Sequence, residues 1–243
     1  MARLILMILV LAGGLCTACH AESYDRVASV AEIPNSAEPD PQGGHGMMID
    51  LVRALDRATH SSTKIVLRPF ARSLKETAEG HADFHLPLIQ DEGTPPPQGL
   101  AYVSEVDFGQ ISFAIYSRKT DPLDARTVVR AGKLEVEKGH KSFFPFPVTE
   151  TTCVPCSLDK VLLGRTDALI ISSEVVDPFL RDPKYKNIHR AFYKSYLVRA
   201  LVPANADSIA TRRYLIEGTR HLKATGELWK ITGHNKTYSD WQP

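Results

Sequence analysis

Cysteine is scarce in this chain: four in 243 residues, at positions 16, 19, 153 and 156. So few thiols exclude a small disulfide-framework protein, and once the N-terminal segment that holds Cys16 and Cys19 is removed, Cys153 and Cys156 have no C-x-x-C partner for a Cys-rich zinc site. Charge of either sign is also lacking in excess. Lysine plus arginine number 29 against 28 aspartate plus glutamate, and no long basic block occurs, so nucleic acid is not an expected partner. Beyond the N-terminus no apolar run approaches the roughly 20 residues of a membrane span. G-x-S-x-G is absent, and with it the nucleophile elbow of a serine hydrolase. His81 and His85 have helical metal-pair spacing, but a Gly-Asp turn places His85 on a strand. There, four residues cover about 13 Å, too far for one ion. No metal or cofactor is expected.

What is present begins with an address. Met1-Ala2-Arg3 is a basic start, Leu4–Leu11 is apolar, and Cys19-His20-Ala21 ends in a small residue. The apolar stretch is too short to span a membrane and reads as a secretory signal peptide over 1–21, with the mature chain starting near Glu22. Cys16-Thr17-Ala18-Cys19 loosely resembles a lipobox, so lipoprotein anchoring is the alternative. Cys16–His20 also fits C-x-x-C-H, but lies in the segment expected to be removed. Without Arg3 the basic and acidic residues balance at 28 each. A periplasmic location is expected, and the remaining length, about 222 residues, suffices for two small lobes.

The most informative pattern occurs twice. Glu79-Gly80-His81-Ala82-Asp83-Phe84 and Leu163-Gly164-Arg165-Thr166-Asp167-Ala168 each follow a short amphipathic stretch and precede an apolar run. Gly suits the left-handed residue that ends a helix, and Asp can satisfy turn amides. The runs Phe84–Ile89 and Ala168–Ile171 read as buried strands. Around them strands and helices alternate. Strands are expected at Val27–Ile33, Thr63–Leu67, Ile111–Tyr116, Leu134–Val136, Ala168–Ser172 and Tyr196–Pro203. Helices are expected at Met47–Thr59, from Pro69, at Ser157–Leu163 with Ser157 as N-cap, at Ser208–Thr225 and from Gly226. Pro34–Gly46 and Gln90–Gly99 are loops.

These elements carry a resemblance to extracellular solute-binding proteins of family 3. Gly46-Met47-Met48-Ile49-Asp50-Leu51 looks like that family's opening of its first helix, and Pro69-Phe70-Ala71-Arg72 like its P-w-x-R variant. Tyr102-Val103-Ser104 and Ala224-Thr225-Gly226-Glu227-Leu228 match later motifs in the right order. The resemblance implies an α/β, two-lobed type II periplasmic binding protein fold with two crossing hinge strands. It places the first lobe at 22–115 plus 200–243 and the second at 116–199. It further implies a monomer that captures a small polar solute between the lobes and delivers it to the membrane permease of an ABC-type importer, without catalysis. A ligand-sensing protein serving a membrane receptor, and an enzyme resembling the periplasmic cyclohexadienyl dehydratases, are the alternatives.

The family's amino-acid binders use an Arg after the third strand and an Asp after the G-r-x-D-a strand. Here Gln90–Gly99 holds no Arg, and Ser172 and Ser173 stand where the Asp would be. Arg72, and less directly Arg68, are the expected anion contacts, since a guanidinium can grip a carboxylate or phosphate with two hydrogen bonds. Backbone amides around His140, Lys141 and Ser142 are expected to hold an anion as well. Asn35, Ser36, Tyr102, Ser104 and Ser172 are candidate polar contacts by position. Asp83 and Asp167 are expected to fix turns. Cys153-Val154-Pro155-Cys156 sits at a helix start, where a thiol pKa falls and redox chemistry is favoured. In an oxidising compartment, however, the pair is expected to close as a disulfide, and redox activity ranks behind the other readings.

Overall fold

The repeated Gly-Asp turn anchors the same strand pair in each half of the protein. The structure, a computed structural model, describes residues 23–34, 36–91, 93–233 and 238–243. The signal segment and Asn35 lie outside the described residues. Gly80 and Gly164 take φ of 78° and 69°, where an L side chain is strained. Asp83 Oδ2 then accepts a hydrogen bond from Val27 N at 2.6 Å. Asp167 Oδ2 accepts from Gly132 N and Lys133 N at 3.0 and 2.9 Å. Each carboxylate thus ties the start of one strand to its parallel neighbour, a longer-range role than fixing the turn alone.

The first half runs β1 (Arg26–Ala31), α1 (Met47–Thr59), β2 (Thr63–Arg68), α2 (Phe70–Ala78) and β3 (Phe84–Gln90). The short β4 (Leu100–Tyr102) leads to β5 (Gln110–Arg118). The second half runs β6 (Leu134–Glu137), β7 (Thr149–Thr151), α3 (Val154–Leu162), β8 (Ala168–Ser172) and α4 (Ser173–Val176). β9 (Ile188–Pro203) returns, followed by α5 (Ile209–Thr225) and α6 (Glu227–Thr232). All nine strands join one sheet of order β2-β1-β3-β9-β5-β8-β6-β7, with β4 on β9. β1 lies between parallel β2 and β3, and β6 lies between parallel β7 and β8. The sequence repeat is therefore a structural one, a three-stranded parallel unit used twice. The antiparallel pair β5 and β9 joins the two lobes.

Packing follows the helical patterns. α1 turns Met48, Leu51, Val52 and Leu55 onto a core shared with Tyr214, Leu215 and Leu222 of α5. Each such side chain contributes about 1.5–3 kcal/mol by leaving water. α2 and α3 share a second core with Leu88, Tyr116, Leu169 and Tyr185. Phe113, Val136, Phe144, Ile170 and Tyr196 fill a third.

Three expectations are corrected. β9 spans 16 residues rather than only Tyr196–Pro203, because its polar first half, legible as loop, pairs with β5 from Arg118↔Ile188 onward. α3 starts at Val154 with Cys153 as N-cap, its sulfur accepting from Cys156 N at 3.3 Å. Ser157 is inside the helix, its hydroxyl bonded back to Cys153 O. β1 ends at Ala31, and Ile33 instead bridges Ala37 in the following loop.

Candidate functional site

A cavity of about 270 Å³ lies where the two lobes meet. Ile89 of β3, Ile111 and Phe113 of β5 and Val198 of β9 line it, so the joining strands contribute to its surface. Ile33, Pro34 and Ser36 after β1, Met47 and Met48 at the start of α1, and Phe70 at the start of α2 form the first-lobe wall. The second-lobe wall is Glu137 at the end of β6, His140, Ser172 at the end of β8, and Glu174 and Val175 of α4. These are the carboxyl ends of parallel strands and the starts of helices, where open α/β sheets place ligands.

His140 is buried in a nest of rings. Its centroid lies 4.8 Å from Phe70, 5.9 Å from Phe113 and 5.8 Å from Phe143. Burial pushes its pKa down to about 4, so the ring is neutral at pH 7. Its Nδ1 is buried without a hydrogen-bond partner and stands 3.7 Å from Glu137 Oε2. Burial pushes Glu137 up to about 7, because a carboxylate leaving water is penalised. Behind Phe70 lies His85, edge-on at 5.5 Å. Its Nε2 is 3.1 Å from Pro87 O and its Nδ1 2.6 Å from Ser73 Oγ. A carbonyl only accepts, so Nε2 carries the proton and Nδ1 is an acceptor, sharing the one Ser73 hydroxyl hydrogen with Ser29 O at 3.0 Å. Burial lowers this pKa to about 3.

Of the expected contacts, Ser36, His140 and Ser172 line the cavity. Arg72 does not: its side chain is 65% exposed and its Nε is 2.7 Å from Glu76 Oε1. Arg68 reaches the same carboxylate at 2.9 Å. Tyr102 is on β4 with its hydroxyl buried and unpartnered, and Ser104 is exposed and bonds Glu105; neither lines the cavity. Lys141 and Ser142 are not in its lining, and Ser142 lines a separate hollow with Asp91, Tyr193 and Lys194. The expected amide cradle is occupied from within, since Gly139 N donates to Glu150 Oε1 and His140 N to Glu137 O. Cys153 and Cys156 are joined in a disulfide. Among the described residues no group of three or more His, Cys, Asp or Glu side chains could hold a metal, and no helix is long and apolar enough to cross a membrane.

The sequence reading missed Phe70 and Phe113 as walls, and Glu137 and Glu174 as polar groups. Glu137 follows the expected strand Leu134–Val136 directly, a position that the strand-end rule itself singles out.

No family model matches the chain, and no curated protein does. Solved structures do. The ligand-binding core of GluR0 in complex with L-glutamate superposes with a TM-score of 0.70 at 11% identity, covering 86% of this chain and 96% of that one. The fold is that of the type II periplasmic binding proteins. The arginine-, lysine-, histidine-binding protein ArtJ from Geobacillus stearothermophilus gives a TM-score of 0.67 at 12% identity, over 85% of this chain and 93% of that one. A histidine kinase sensor domain with similarity to periplasmic binding proteins gives 0.65 at 15% identity, over 86% and 95%.

Proposed function

We propose that this protein captures a small solute between its lobes outside the cytoplasm and hands it to the permease of an ABC-type importer. The observation that carries the reading is the cavity built from both lobes. Phe70 from one packs on His140 from the other beside the strands that join them, so occupancy and lobe closure are coupled. The proposed lobes are residues 22–115 plus 200–243 and residues 116–199, after removal of 1–21. The likeness to a histidine kinase sensor domain supports a second reading, in which the closed form reports to a membrane receptor. Catalysis is not proposed. Among the described residues no lysine or arginine lines the cavity to hold the carboxylates of prephenate or arogenate, and neither compound is expected to turn over.

A thermal-shift screen with amino acids, small carboxylates, amines, sugars and oxyanions tests the binding reading. A ligand at 100 times its dissociation constant adds about 2.7 kcal/mol and moves the midpoint by several degrees. A silent library would overturn it. Loss of solute uptake on deleting the gene supports the importer; intact uptake with loss of a transcriptional response supports the sensor.

A further inference from the structure

We infer that the cavity selects a small organic amine, a cation with an apolar or aromatic body and no carboxylate. The inference rests on the solute-binding reading and names its ligand class. Its first support is charge. Among the described residues, two carboxyl side chains, Glu137 and Glu174, line the cavity, and no lysine or arginine does. Arg68 and Arg72, the basic side chains nearest in sequence to the Phe70 wall, are engaged by Glu76. An α-carboxylate entering here meets no counter-charge and loses its hydration, a cost of several kcal/mol for an unpaired ion. An ammonium meets the opposite situation.

The second support is shape and surface. Phe70 and Phe113 line the cavity, and aromatic rings attract cations most strongly where water is excluded. At about 270 Å³ the space falls just below the range of drug-sized sites, about 300–1,000 Å³, which suits a single ring with a short chain.

Binding should then depend on pH through Glu137. Of the titratable groups, His140 stands 3.7 Å away and Glu174 of α4 shares the cavity lining, and burial is the cause of the Glu137 shift. With a pKa of about 7, ionisation of Glu137 is about tenfold more complete at pH 8 than at pH 6. Amine affinity should rise across that window.

Matched probes test this on the purified protein by calorimetry: phenethylamine, phenylalanine, 3-phenylpropionate and 2-phenylethanol share one ring. Phenethylamine should bind at least tenfold tighter than phenylalanine, and phenylpropionate should not bind. Glu137→Gln should weaken the amine at least tenfold, leave the alcohol unchanged and flatten the pH profile. Equal or tighter binding of phenylalanine or phenylpropionate overturns the amine assignment and leaves solute binding standing. So does an unaltered amine affinity in Glu137→Gln. Silence of the amines with a hit elsewhere in the thermal-shift library also overturns only the assignment, whereas silence of the whole library overturns both.

Discussion

Gly139 sits against Phe70: a Cβ built on Gly139 would overlap the Phe70 ring, with Phe70 Cε1 at 2.8 Å. Gly139 also has φ of 94°. The two residues belong to opposite lobes, so the absence of a side chain at one position sets how closely the lobes meet. Gly139→Ala is expected to wedge the cavity open, with a larger radius of gyration by small-angle scattering and weaker ligand binding. The positive φ adds a cost of about 1 kcal/mol. Phe70→Ala in the same chain removes the overlap and should restore the compact radius, though not the affinity. A radius unchanged in Gly139→Ala would show that the Phe70 contact does not govern closure.

Protonation gives the second prediction. The folded chain holds His85 and His140 neutral, with pKa values near 3 and 4, whereas the unfolded chain protonates both below about pH 6.5. Their stabilisation is therefore whole above pH 6.5 and lost progressively as pH falls towards those folded values. Glu137 acts with the opposite sign. Its folded pKa is raised to about 7, so its contribution is whole below about 4.5 and lost as pH rises through 7. Between pH 6.5 and 5 the two histidines of the unfolded state go from about half to almost fully protonated, while in the folded state Glu137 holds a proton that the unfolded state mostly lacks. The net loss should be about 1.5 kcal/mol, and Glu137→Gln should double it to about 3 kcal/mol. Urea unfolding at the two pH values checks both figures; equal losses in the two proteins would exclude the raised Glu137 pKa.

Arg72 supplies the third prediction. Its guanidinium is exposed and held by Glu76, outside the cavity lining, so Arg72→Ala should leave ligand affinity within experimental error. A fivefold or larger loss would return Arg72 to the site.

The same residue shows what the sequence made legible. Repeated Gly-Asp turns and alternating apolar runs announce strand ends and helix faces, because local backbone requirements and burial leave marks on neighbouring residues. The two lobes and most elements could be read in this way. A side chain's partner is legible only locally: the i,i+4 spacing of Arg72 and Glu76 on α2 is a helical ion pair, but nothing in the sequence reveals that the same carboxylate also captures Arg68. Likewise Phe70 looks like an ordinary helix-start aromatic until the second lobe brings His140 onto it. The first half of β9 was hidden for a related reason. His189, Lys194 and Ser195 look like loop, and only pairing with β5 makes them strand.

The last prediction concerns the chain's end. Arg190, 2% exposed in its side chain, is gripped by Asp177 through Nε at 2.9 Å and Nη2 at 2.8 Å. Nη1 donates to Ser239 O at 2.7 Å, and the Tyr238 and Trp241 rings lie 4.2 and 5.1 Å from the guanidinium carbon. Gln242 exchanges two hydrogen bonds with the Arg190 backbone, and Lys119 Nζ reaches Pro243 O. Residues that follow α6 thus cover a cation at the far end of β9. A buried guanidinium tolerates its surroundings only while its donors are matched. Deleting residues 238–243 removes one acceptor of the guanidinium, the two Gln242 hydrogen bonds to the Arg190 backbone and two rings, and should cost about 2–4 kcal/mol by urea unfolding. Asp177→Asn leaves the cation poorly balanced and should cost about 3 kcal/mol or more. If the deletion leaves stability unchanged, the terminal residues lie on Arg190 without supporting it, and water serves its donors equally well.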